Sequence, residues 1–269
     1  MNESANRIAA IQMISTPVLE ENMATATRLI RQAARQGAEL VLLPEYWPVM
    51  GMHENDKVAI AEQNQGGVIQ DFMSQAAREN SVWLIGGTLP MVAGEAGKVL
   101  NTMMVYNPQG ERVARYDKIH LFSFSRGAES YDEARTIVHG NEVKTFEAPF
   151  GKVGLSVCYD LRFPELYRAM GDCRLIVVPA AFTYTTGKAH WEILLRARAI
   201  ENQCYVLAAA QGGRHLNGRT TWGHSMLIDP WGEIKSVLNE GEGLVIGDID
   251  PHYLSGIRQN LPALTHRKL

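Results

Sequence analysis

Short apolar runs alternate along the chain with stretches whose apolar residues return every three or four positions, the repeat of a helix with one buried face. Ile8 to Ile14 reads as a strand. Leu19 to Gln36 reads as an amphipathic helix closed by Gly37. Leu40-Val41-Leu42-Leu43 is apolar throughout, as in a strand covered on both faces, and ends at Pro44-Glu45. A loop rich in Trp, Pro and Met follows, then a helix from about Val68 to Glu79 and a strand Val82 to Ile85. Strand Thr102 to Tyr106 turns at Asn107-Pro108-Gln109-Gly110 into a last strand, Arg112 to Arg115. Pro second and Gly fourth suit a type I turn.

The order then repeats. Val153 to Val157 is a strand, a helix starts at Pro164, Leu175 to Val178 is a buried strand ending at Pro179, and a helix covers about Lys188 to Asn202. Strand Tyr205 to Ala209 and the hairpin Met226 to Ile228, Asp229-Pro230-Trp231-Gly232, Ile234 to Val237 complete it. Ala77, Glu79, Asn80, Pro108, Gly110 and Glu111 recur 122 residues later as Ala199, Glu201, Asn202, Pro230, Gly232 and Glu233. Strands alternating with helices predict an α/β fold. The constant offset predicts two similar halves, packed sheet to sheet with helices outside: a four-layer αββα sandwich in one domain spanning 1–269. Two independent domains split near residue 140 are the alternative.

Composition narrows the field. Charged residues make up 20% of the 269 residues and the net charge is −3, which speaks against nucleic acid or an anionic membrane as partner. Met1 to Arg7 lacks the apolar block of a signal peptide, and no run approaches a membrane span, so a soluble cytoplasmic protein is expected. Three cysteines, Cys158, Cys173 and Cys204, have no Cys-x-x-Cys spacing, so reduced thiols are expected rather than disulfides or structural zinc. The histidines, including His120, His190, His215 and His224, show no metal-binding spacing and no Cys–His protease signature. Gly86-Gly87 and Gly212-Gly213 lack phosphate-loop spacing; neither a metal nor a cofactor is expected.

The chemistry-bearing candidates sit at strand ends. Cys158 ends an apolar strand just before a helix start, a corner that exposes the sulfur beside backbone N–H groups and favours both a thiolate and an oxyanion; alternatively it is a buried cysteine packing as a small hydrophobe. Glu45, among Tyr, Trp and Pro, is either a desolvated proton carrier or a solvated strand-end residue. Lys118, in Tyr116-Asp117-Lys118-Ile119-His120-Leu121, either faces a developing oxyanion or pairs with Asp117 on the surface. Glu133 lies on the long irregular segment from Lys118 to Gly140, a length that points to function or mobility.

Taken together, Pro44-Glu45-Tyr46, Tyr116 to Leu121, and Ser156-Val157-Cys158-Tyr159-Asp160-Leu161-Arg162-Phe163-Pro164-Glu165 resemble the nitrilase superfamily of carbon–nitrogen hydrolases from about Ile8 to the C-terminus. His190 to Glu201, Gly223 to Met226, Asp229 to Gly232, and the tail with Leu261-Pro262 and His266-Arg267 are most similar to its Nit branch, and there to the deaminated glutathione amidases. Tyr159, where true nitrilases commonly carry Trp, points to amides. The resemblance implies the αββα sandwich and a catalytic set of Glu45, Lys118 and Cys158, with a second glutamate at Glu133 or the nearby Glu129. It also implies hydrolysis of a small linear amide bearing a carboxylate, through a thioester. The backbone N–H of Tyr159 would join Lys118 at the oxyanion. Tyr46, Phe182 and Thr183 are candidate substrate contacts, and Arg162 either clamps a substrate carboxylate or bridges to Glu165 or Asp160. An ω-amidase, an N-carbamoyl amidohydrolase or a catalytically silent scaffold are the alternatives. A homodimer or higher homo-oligomer is implied, paired through about Pro164 to Met170 and Tyr253 to Leu269, the tail from about 252 crossing to a partner subunit.

Overall fold

The computed structural model describes residues 6–127 and 129–268. The first half contains β1 (Asn6–Gln12), α1 (Leu19–Arg35), β2 (Leu40–Leu42), the one-turn α2 (Asp56–Ala59), α3 (Val68–Asn80), β3 (Trp83–Ile85), β4 (Leu89–Val92), β5 (Val99–Tyr106) and β6 (Arg112–Asp117). A hairpin of β7 (Ser123–Arg126) and β8 (Glu129–Asp132), a 3-10 turn over Glu133–Arg135 and β9 (Ile137–Val138) link the halves. The second half runs β10 (Thr145–Ala148), β11 (Gly151–Leu155), a 3-10 turn over Cys158–Arg162, α4 (Pro164–Ala169), β12 (Leu175–Ala180) and α5 (Tyr184–Asn202). It ends with β13 (Tyr205–Ala210), β14 (Ser225–Ile228), β15 (Ile234–Leu238), β16 (Gly243–Ile249) and α6 (Pro251–Asn260).

The two main sheets share one plan. In the second, the order is β10-β11-β12-β13-β14-β15, with β11, β12 and β13 parallel. In the first, β16-β1-β2-β3-β5 follows the same sequence of pairings, with β6, β4 and β9 added along the long β5. The 122-residue repeat is a repeat of structure as well. Ser81 and Gln203 end α3 and α5 in the left-handed region, at φ 51° and 46°. Beside them Val82 and Cys204 donate to Ala77 and Ala199. At the hairpins, Ser74 and Arg196 donate to the carbonyls of Gly110 and Gly232.

Alternation along the strands assigns the layers. Ala9, Ile11, Val41 and Leu84 face α1 and α3, where they pack with Ala26, Leu29, Ile30 and Met73. Ile8, Ala10, Leu42 and Ile85 point the other way, into a core shared with Leu155, Val177 and Leu207 of the second sheet; Trp191, Leu195 and Ala199 of α5 join that core from beyond it. The result is the αββα sandwich. Local chemistry fits each helix. Glu20 and Glu21 open α1 and Arg35 closes it, matching the helix dipole. α3 has no cap of its own, and the buried Glu62 carboxylate supplies one, accepting the Ile69 and Gln70 N–H groups at 2.6 and 3.1 Å.

Two expectations need correction. The segment from Lys118 to Gly140 is not irregular, since its polar faces hid the hairpin of β7 and β8. β12 does not stop at Pro179 but continues through it to Ala180. β11 pairs with β12 only as far as Leu155 and Val177, so beyond that point the proline withholds no ladder donor. Among the described residues no helix is long and apolar enough to cross a membrane.

Candidate active site

The cleft forms where equivalent strand ends of the two sheets meet. Past β11 the chain turns sharply at Cys158, whose φ of 49° is a left-handed backbone that a residue with a Cβ adopts only under constraint. The turn is held from several sides. Arg198, nearly buried in α5, donates to the Leu161 carbonyl at 2.7 and 3.1 Å, and Tyr167 donates to Ser156 Oγ at 3.0 Å. Cys158 itself is 7% exposed and lines the same cleft as Glu45.

Glu45 follows β2 and is 1% exposed. Its Oε1 accepts from Lys118 Nζ at 2.9 Å and from Asn101 Nδ2 at 3.0 Å, and its Oε2 from the Ala181 N–H at 2.9 Å. Lys118, with no exposed surface, also reaches both oxygens of Glu133, at 3.0 and 2.8 Å. Tyr46 Oη and the Phe122 N–H complete the Glu133 carboxylate, each at 2.7 Å. The alternative Glu129 turns away, accepting from Thr185 Oγ1 at 2.8 Å. Backbone at the rear fixes the same groups: a Cβ on Gly87 would lie 2.0 Å from the Pro44 carbonyl, and Gly140 donates to the Lys118 carbonyl at 2.8 Å.

One cation between two carboxylates sets the proton affinities. Burial raises the Glu45 pKa; Lys118 opposes this and Glu133 adds to it, leaving Glu45 above the ordinary carboxylate range. Burial also pushes Glu133 up, but Lys118, the Phe122 N–H and Tyr46 overcome it and hold Glu133 below that range. Burial disfavours the Lys118 charge, yet Glu133 and Glu45 outweigh it and lift its pKa well above normal. For Cys158, burial and then the Glu45 charge hold the proton on sulfur. Glu45 is therefore a carboxylate suited to taking the thiol proton and giving it back.

Asp160, fully buried, ties the cysteine turn to the lysine. Its Oδ1 accepts the His120 backbone N–H at 3.0 Å and lies 2.7 Å from His120 Nδ1. Its Oδ2 accepts the Val157 N–H at 2.8 Å and the Tyr116 hydroxyl at 2.7 Å. Tyr116 and His120 flank Lys118, and Val157 precedes Cys158.

These groups open into a cleft. Glu45, Glu133, Cys158, Tyr46, Tyr159, Phe182 and Thr183 all line it, as does Ala181. Arg162 is not among the described lining residues: it donates to His190 Nδ1 at 3.3 Å and lies 5.7 and 5.5 Å from the rings of Tyr159 and Phe182. Nor does it bridge to Asp160, whose oxygens are taken by Tyr116, His120 and Val157. Lys118 turns to Glu45 and Glu133 rather than to Asp117, which accepts from Thr102 and Arg115. No described histidine lines the cleft. Asn101, Glu54, Lys57, Tyr131, Thr186 and Arg219 join the site without having been expected from the sequence, because they come from loops, strands and helices far apart in the chain and carry no local signature.

A family model described as carbon-nitrogen hydrolase matches residues 7–259. The chain is 45% identical to a deaminated glutathione amidase of Synechocystis sp., over 96% of this chain and 97% of that protein. It is 39% identical to the omega-amidase NIT2 of Mus musculus, over 98% and 96% of the two chains. Its structure is similar to that of the C. elegans NitFhit protein, with a TM-score of 0.90 and 37% identity, covering all of this chain and 66% of the other.

Proposed function

Starting from the fact that this chain belongs to the carbon–nitrogen hydrolase family, we propose that it is an amidase of the deaminated glutathione amidase type, with Cys158 as nucleophile and Glu45, Lys118 and Glu133 as its partners. The observation that carries this reading is a cysteine and a glutamate, Cys158 and Glu45, lining one cleft, with Glu45 and Glu133 both held by the fully buried Lys118. Glu45 accepts the Cys158 proton as sulfur adds to the carboxamide carbon. The oxyanion is met by Lys118 and the Tyr159 N–H, donors whose removal costs on the order of 10²–10³ in rate. The tetrahedral carbon expels nitrogen only once it is protonated, so Glu45 passes the proton on and ammonia leaves a thioester. Water then enters, Glu45 takes one of its protons, the C–S bond breaks, and the proton returns to sulfur as the carboxylic acid forms. Glu133, anchored by Tyr46 and Phe122, fixes Lys118 for both steps.

Cys158→Ala tests the assignment: a folded variant releasing no ammonia is expected, alongside an acyl adduct on wild-type Cys158 by intact mass during turnover. Residual turnover above a few per cent of wild type refutes it. A second reading, an ω-amidase, is favoured by the 39% identity to an omega-amidase. Comparing kcat/KM for deaminated glutathione and α-ketoglutaramate decides between them.

The rest of the molecule fits the same proposal. One domain over 1–269 is supported by β16, which comes from the end of the chain to pair with β1. A homodimer or larger homo-oligomer is supported by an exposed apolar stripe, Ile193 and Ile200 on α5 beside Trp231. A reducing, cytoplasmic setting is supported by three free, buried cysteines.

A further inference from the structure

The cleft carries a second set of charges at its outer wall. Lys57 of α2 and Arg219, from the loop between β13 and β14, are the only cations among the described residues that line it. Both also line a second hollow, and Tyr46, Met50 and Glu54 are common to the two spaces. The hollows are thus neighbours divided by a thin wall. Glu54 stands between the cations, 2.9 Å from Lys57 Nζ and hydrogen-bonded to Arg219. Each cation lies near an aromatic ring of the cleft, Lys57 5.7 Å from the centre of Tyr46 and Arg219 5.0 Å from that of Tyr131, and Lys57 also donates to Thr136 Oγ1 at 3.1 Å. Each ring adds a cation–π contact to its cation, and the hydroxyl a further hydrogen bond to Lys57.

The inner cluster cannot attract an anion, because the Lys118 charge is already shared between two carboxylates. An acyl chain ending in a carboxylate finds its counter-charge only at the dividing wall, where a guanidinium can take it through two parallel hydrogen bonds. The Glu54 carboxylate, 49% exposed, already occupies that position.

We propose that Lys57 and Arg219 form a subsite for the distal carboxylate of the amide substrate, and that Glu54 is a built-in competitor which this carboxylate displaces, joining the two hollows. The inference rests on the amidase reading and adds the specificity device to it. Half-amides of dicarboxylic acids are favoured over neutral amides of equal length, and the length accepted is set by the distance from Cys158 to the wall.

The test uses ammonia release from glutaramate and pentanamide, which match in length and differ in terminal charge. Arg219→Gln is expected to lower the ratio of kcat/KM, anionic over neutral, by about 10- to 100-fold, chiefly through KM. Arg219→Lys restores part of the ratio and Glu54→Gln raises it. A parallel fall for both amides, or a lower ratio in Glu54→Gln, overturns the proposal. Calorimetric binding of glutarate to Cys158→Ala, with and without Arg219→Gln, reads the subsite without turnover. If the wild type cleaves neither amide but glutarate binding depends on Arg219, the amidase reading falls and the subsite stands. If amides are cleaved and glutarate binding ignores Arg219, the subsite falls.

Discussion

Replacing Asp160 by Asn keeps the side chain's shape and removes its charge, in a pocket built to receive a carboxylate. Each Asp160 oxygen faces two nitrogen or oxygen groups: the backbone N–H and Nδ1 of His120 on one side, the Val157 N–H and Tyr116 hydroxyl on the other. An amide NH₂ on either side meets a donor. The tyrosine hydroxyl can rotate and the imidazole can present a lone pair, but a backbone N–H can do neither. In one orientation the Val157 N–H is stranded, in the other that of His120. A buried donor without a partner costs about 1–3 kcal/mol, and the surviving bonds lose their charge assistance, for about 2–4 kcal/mol in all. At about 2 °C per kcal/mol for a chain of this size, Tm should fall by about 4–8 °C. The same bonds hold Lys118 in register with Cys158, so kcat should drop about tenfold or more with KM little changed, and iodoacetamide should alkylate Cys158 more slowly. In a double-mutant cycle, Tyr116→Phe and Asp160→Asn should be strongly non-additive. A variant melting within about 1 °C of wild type, with kcat within about twofold, refutes the reasoning.

Gly87→Ala should cost well over about 1 kcal/mol in a denaturant titration and reduce kcat, since φ is +51° and the new Cβ would press on the Pro44 carbonyl beside Glu45; full activity would show that Glu45 is not positioned from there. Lys118→Met should destabilise the fold at neutral pH by about 3–5 kcal/mol, leaving two buried carboxylates without their cation. Without Lys118 both carboxylates bind protons more readily, so this penalty should shrink as pH falls; a pH-independent penalty in calorimetric melts argues against it. Glu45 acts as a base only when ionised, and burial holds its pKa above the 4.5 of an ordinary glutamate, so kcat/KM should fall with acid along a limb centred above that value. A flat profile there excludes Glu45 as the base. The depressed Glu133 contributes stability that is fully present above pH 4.5 and lost as pH drops through its lower folded value. Glu133→Gln should remove that part of the acid dependence of the urea midpoint.

The parts of the fold and cleft that could be read from the sequence were those encoded locally. Fully apolar runs such as Leu40 to Leu43 and Leu175 to Val178 announced central parallel strands, and helix ends and hairpins shared by the two halves carried the same residues at one offset. Glu45, Lys118 and Cys158 were visible because each follows a strand within three residues. What was not visible depends on pairing across distance. β16 begins at Gly243 and is interrupted by Gly247, which breaks its apolar run, and its partner β1 lies far away in the sequence. The hairpin of β7 and β8 alternates mainly polar residues, since it packs over the cleft rather than into a core. Arg162 stood in a motif beside the nucleophile and looked like a substrate clamp, but the 3-10 turn carries it toward α5 and His190. Lys57, on α2, and Arg219, on a loop, reach the same wall from positions 162 residues apart.

The pairing of β1 with β16 bears on how the molecule is made. In the second sheet the edge strand, β10, immediately precedes its neighbour β11 and can pair with it as both emerge. In the first sheet the corresponding edge is supplied by Gly243–Ile249, so β1 has an open side until that distant strand has been made. Glu45, Lys118 and Cys158 have all been synthesised by then, and so has every strand of the second sheet. A nascent chain released before Gly243 would therefore carry every residue assigned to the chemistry together with an unguarded edge open to aggregation.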